Sequence, residues 1–152
     1  MDFLKTPLIL FKIKTQMSKK NKELREKVFN KYDGKCAYCG DQLKKMQVDH
    51  IIPQRNFLES ILKNYDIPSF LKHLKEYDVN HIDNLNPSCA TCNKFKDTFS
   101  LRVFRRELQD QFNRAKKYSS NLRFALKFNQ VLETPKDIVF YFENISHNIE
   151  PQ

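Results

Sequence analysis

Two short cysteine pairs, CAYC at 36–39 and CATC at 89–92, constrain this chain more than any other feature. Thiols two residues apart can face one point, and two such pairs supply four soft ligands. That is the set a structural Zn²⁺ takes up in tetrahedral array. A redox dithiol or a chance pairing is the other reading of one pair alone. Two pairs in a chain with no leader-like N-terminus favour zinc through Cys36, Cys39, Cys89 and Cys92 over disulfides. The chain must therefore fold so that these two distant segments meet.

Glycine usage agrees. Only two glycines occur, Gly34 and Gly40, and both flank the first pair in DGKCAYCGD. A loop that wraps a metal bends tightly, and glycine enters the left-handed region without a steric cost. Both positions therefore read as geometric requirements of the turn.

At 152 residues the chain is long enough for one domain with its own core. The expected division is an N-terminal arm over 1–17 and a single domain over 18–152, with its motif core at about 30–100 and a helical extension over 101–152. The apolar fraction of 40% describes a water-soluble chain, with no apolar run long enough to span a membrane. The N-terminal run Leu8–Phe11 is too short for a signal peptide, so a cytoplasmic location is expected. Net charge is +9 and unevenly spread: segments 1–48 and 94–127 each carry +7, while 49–93 is slightly acidic. Basic flanks around an acidic centre suit a polyanion gripped on both sides of a site that itself holds cations.

The pattern predicts an α+β fold. A basic helix is expected from Ser18 to about Tyr32, with Leu24, Val28 and Phe29 on its apolar side. Two short strands are expected at 42–44 and 47–51, the second stopped by Pro53. Segment 56–76 reads as a helical pair broken at Pro68. A helix capped near Ser88 carries the second cysteine pair to about 106, and Leu101, Phe104, Leu108, Phe112 and Ala115 continue an apolar stripe. A further helix is expected over 120–132, and DIVFYFENI at 137–145 reads as a buried strand.

Between the cysteine pairs stands QVDHIIPQ, with Asp49 beside His50 at the end of the second strand. Neighbours on a strand point to opposite faces, so the two side chains can approach one phosphate from two directions. Asp49 is a hard oxygen ligand suited to Mg²⁺ or Mn²⁺. An imidazole exchanges its proton near neutral pH, which suits His50 as a general base.

In order, the chain offers CAYCG (36–40), VDHIIP (48–53) and DNLNPSCATCNKFK (83–96). This combination resembles the HNH endonucleases, specifically the zinc-bracketed ββα-metal type of small phage and bacterial nucleases. The resemblance implies a two-stranded ribbon and a helix around a divalent ion, embedded here in additional helices. It carries a second metal-ligand role onto Asn93, directly after Cys92, and a structural role onto Asn84, which ties a loop across the ribbon. The framing by Leu85, Pro87 and Cys89 selects Asn84 over Asn80 and Asn86. Lys96, and with it Lys94, is expected to touch phosphate.

The implied activity is hydrolysis of DNA, duplex or branched, with Zn²⁺ structural and Mg²⁺ or Mn²⁺ catalytic, leaving 5′-phosphate and 3′-hydroxyl ends. Since one active site cuts one strand, a homodimer is one route to a double-strand break. Two other functions use the same features: a zinc-stabilised nucleic-acid-binding module without catalysis, and an RNA-cleaving nuclease. The chain departs from the shortest family pattern between His50 and Asn84, where an inserted stretch could contact DNA or cover the core. His81 lies there, an exposed loop histidine in the simpler reading and an extra ligand in the other.

Overall fold

A computed structural model of the chain describes residues 7–147, with side chains for 17 and 19–145. Helix α1 (Pro7–Asn30) opens the fold. Its described part begins at Pro7, eleven residues before the expected cap at Ser18. The expected arm and helix are thus one element from Pro7 onward; residues 1–6 lie outside the described residues.

After α1 the chain turns through Asp33 and Gly34 into the first cysteine pair. Gly34 and Gly40 both take left-handed φ, 71° and 78°. Backbone bonds from Cys36 N to Asp41 O and from Gly40 N to Cys36 O, 2.8 and 2.9 Å, close the loop between them. The strand expected at 42–44 is reduced to a single bridge between Lys35 and Gln42, because this segment spends its backbone groups on the cysteine turn.

The sheet instead pairs β1 (Gln47–His50) with β2 (Leu85–Ser88), antiparallel, with Asp49 opposite Asn86 and His50 opposite Leu85. The strand β2 thus ends at Ser88, where the helix cap is expected. Pro87 donates no hydrogen bond, yet it is tolerated because the ribbon has only two strands and its carbonyl accepts from Ala37 N at 2.8 Å.

Residues 51–84 connect the strands through a 3₁₀ turn, Gln54–Asn56, then α2 (Phe57–Lys63), which Asn64 closes in a left-handed conformation, and then two further 3₁₀ turns, Ser69–Leu71 and Ile82–Asn84. The helix expected after Pro68 is only the turn Ser69–Leu71. Leu71 and Leu74 still reach the core.

Helix α3 (Ala90–Lys96) leaves the second cysteine pair, capped by Cys89 rather than Ser88. The single helix expected to 106 is broken where Asp97 adopts φ 45°, and α4 (Leu101–Gln109) restarts on Ser100, whose Oγ accepts from Val103 N. Helices α5 (Gln111–Tyr118) and α6 (Ser120–Lys127) follow, the latter shorter than expected. The apolar stripe holds the core through Leu101 and Phe104 and then leaves it, since Phe112 is exposed.

The C-terminal stretch expected as a strand has no regular structure up to Phe140 and then forms α7 (Tyr141–His147). It earns its burial by aromatic packing rather than by a ladder: Phe140 stacks on Phe104 with centroids 5.2 Å apart and meets Tyr38 edge-on at 5.3 Å. Tyr141 N and Phe142 N donate to the carbonyls of Tyr38 and Ala37, so the last helix docks on the first cysteine turn. Arg105 fastens it from α4 with a bidentate pair to Glu143. The fold is α+β, and no described helix is long and apolar enough to cross a membrane.

Candidate functional site

The four cysteines converge. Their Sγ atoms all lie within 4.8 Å of one another, and Cys39 and Cys89 stand 4.0 Å apart. Four sulfurs at ~2.3 Å from a tetrahedral Zn²⁺ sit about 3.8 Å from each other, so the cluster is sized for that ion. Main-chain N–H groups of Cys89 and Cys92 point at the sulfurs of Cys36 and Cys89, each 3.4 Å away. Such donors favour thiolate. A hydrogen bond from the Cys92 thiol brings Cys36 down to about 4, burial pushes Cys39 up to about 12, and the hydrogen bond to Cys36, then burial and the Cys36 charge, raise Cys92. One thiolate therefore forms readily and opposes the next. Ionising all four requires a cation among them.

The cluster fixes where α3 starts, and α3 lies against β1. Gln47 and Asp49 share one face of β1, and Asn93 and Lys96, three residues apart, share one face of α3. They meet in two rungs: Asn93 Nδ2 donates to Gln47 Oε1 at 2.6 Å, and Lys96 Nζ lies 3.2 and 3.1 Å from the two Asp49 oxygens. Lys96 also donates to the His50 carbonyl at 2.7 Å, and the Tyr38 hydroxyl donates to Asp49 Oδ2. All three side chains of this lower rung are buried. Burial pushes the Asp49 carboxyl up and the Lys96 ammonium down, each partly restored by the other's charge. Burial and then the Asp49 charge raise the Tyr38 hydroxyl.

The expected contact of Lys96 with phosphate is corrected here. With 0% exposure its ammonium is an internal counter-ion, while Lys94 remains on the surface. Asp49 and Asn93 offer the hard oxygen donors a divalent ion takes. In this arrangement Lys96 and Tyr38 hold the first and Gln47 the second.

His50, the next residue along β1, faces away from that seam. Its Nε2 lies 3.0 Å from Asn80 Oδ1. Asn84 is fully buried and accepts from Ile52 N at 2.8 Å while donating to the carbonyls of Ile52 and Val79 at 3.2 and 2.9 Å. It staples the turn after β1 to the turn before β2. Tyr38 and Asn80 are the contributors that sequence reasoning did not assign. Tyr38 could have been found from its place inside CAYC, whereas Asn80 depends on the path of a long connection.

Fold and cluster together define an α+β protein whose four cysteines are placed where they could hold a metal ion. No family model, no curated protein and no solved structure matches the chain.

Proposed function

We propose that this chain is an HNH-type endonuclease that hydrolyses phosphodiester bonds in DNA, with His50 as general base. The observation that carries the reading is the pairing of His50 with Asn80 on the outer face of a strand whose inner face is buttressed by the helix from the cysteine cluster. With the Asn80 amide oxygen accepting, the imidazole proton resides on Nε2 and Nδ1 keeps the lone pair. That nitrogen takes a proton from water, the water oxygen attacks phosphorus in line, and the bond to the 3′ oxygen breaks. The basic segments 1–48 and 94–127 supply the charge that holds the backbone.

Asp49 and Asn93 would hold the Mg²⁺ or Mn²⁺ that the resemblance implies. Such an ion stabilises negative charge on the phosphate and on the departing oxygen.

A second reading, a zinc-stabilised nucleic-acid-binding module without catalysis, draws on the neutralisation of Asp49 by Lys96. One experiment separates them. Zinc-loaded protein is incubated with duplex, branched and single-stranded DNA and with RNA of the same sequence, with Mg²⁺, Mn²⁺ or Ni²⁺ and with none. Cleavage of DNA in the presence of an added ion is expected. Binding without cleavage under every condition would leave the module, preferential cutting of RNA would reassign the substrate, and cutting with no added ion would remove the catalytic metal from the reading.

A further inference from the structure

The connection between the strands gathers a second group of ligating side chains, remote in chemistry from the cysteines. His73, His81 and Asp83 bring their ligand atoms within 4.8 Å of one another. His73 Nε2 is 3.0 Å and His81 Nδ1 is 3.6 Å from the same oxygen, Asp83 Oδ2. The two imidazole rings meet edge to face with centroids 5.8 Å apart. Ligands at roughly 2.1 Å from one ion stand about 3.0–3.4 Å apart, so the three atoms already lie near the edges of a coordination polyhedron. Two of the chain's four histidines are spent here.

The backbone beneath them is anchored. His73 lies between Leu71 and Leu74, both buried, and Asp83 precedes Asn84, which is tied to Ile52 and Val79. His81 caps the 3₁₀ turn Ile82–Asn84, its Nδ1 accepting from Asp83 N at 3.3 Å. That long contact turns the Nδ1 lone pair toward Asp83 and costs little to exchange for a metal bond. The side chains keep 53%, 42% and 45% of their exposure, which leaves an entry path and room for water ligands. Lys31, the cation nearest to Asp83 in charge effect, turns its ammonium to the carbonyls of Ile82 and Leu85.

We propose that His73, His81 and Asp83 form a second metal site, selective for a divalent first-row transition ion such as Zn²⁺ or Ni²⁺. Two imidazoles and one carboxylate suit such ions better than Mg²⁺, which takes oxygen ligands. The site is separate from the cysteine cluster and from Asp49 and Asn93. An ion there closes the loop 73–83, which also carries Asn80, the partner of His50. The proposal stands whether or not the chain is a nuclease.

The test is metal stoichiometry on the full chain. Protein holding one equivalent of Zn²⁺ is titrated with further Zn²⁺, and separately with Ni²⁺, by calorimetry, with native mass spectrometry to count ions. Wild type should take a second equivalent. His73→Ala and His81→Gln should each keep the first and bind the second at least ~10-fold more weakly, with unchanged melting temperatures in the one-zinc form. Both replaced side chains are about half exposed, and glutamine retains an acceptor at the cap. Saturation of wild type at one equivalent would overturn the proposal, as would either folded variant that keeps the second with wild-type affinity.

Discussion

Lys96 takes a full charge into the core and meets one carboxylate there. A buried pair of this kind is costly to break from one side, because the survivor is left charged and dry. Lys96→Met should therefore destabilise the protein by about 3–5 kcal/mol in urea unfolding, through the stranding of Asp49. Adding Asp49→Asn should recover part of that loss, and the double-mutant cycle should give a clear coupling term. Simple additivity would show that the pair is not coupled. Asn84 makes the complementary case with no charge. Asn84→Ala removes one acceptor and two donors from a fully buried staple, so a loss of about 2–4 kcal/mol is expected by the same measurement. A loss below 1 kcal/mol would mean that water replaces the amide.

At the scale of elements, the break between α3 and α4 rests on one residue. Asp97, at φ 45° and ψ −121°, holds a backbone geometry that glycine occupies with least strain. Asp97→Gly should raise stability by about 1 kcal/mol, read as a higher melting temperature; a drop would show that the aspartate side chain contributes more than the strain costs. This break also shows where the sequence was hard to read. The apolar spacing of Leu101, Phe104 and Leu108 is helical and was legible, but it lies wholly within α4, and no glycine or proline marks the break before it. The cysteine pairs, the two glycines and the general α+β character were legible because ligand geometry and left-handed turns are local requirements. The pairing of β1 with β2 was not, since it is decided by the closure of residues 51–84 and by Pro87 lending only its carbonyl. Phe140 and Phe142 were rightly read as buried, but a run of aromatics fills a core equally well from a strand or from the start of a helix. The inward turn of Lys96 was hidden for a related reason: at i+3 from Asn93 it shares the helix face, and only the packing of α3 on β1 decides whether that face meets solvent.

On the scale of the whole molecule, the cysteine cluster joins parts that have few other reasons to meet. It ties the turn after α1 to the start of α3, and α7 docks on the same turn through Tyr38 and Ala37. A structural Zn²⁺ of this type contributes on the order of 10 kcal/mol to the folded state, more than the whole net stability of many domains. Cys89→Ser, or stripping the metal with a strong chelator, should abolish cooperative thermal unfolding, while His50→Ala should leave the melting temperature where it was. A Cys89→Ser protein that melts like wild type would contradict the metal role of the cluster.

The most direct measurement is cleavage of supercoiled plasmid by the zinc-loaded protein with added Mg²⁺ or Mn²⁺, beside His50→Ala of equal melting temperature and an EDTA control. The account predicts nicked or linear plasmid from wild type alone, with His50→Ala reduced at least ~100-fold, the scale of a lost general base. Plasmid left intact by wild type, or cut equally by His50→Ala, would contradict it.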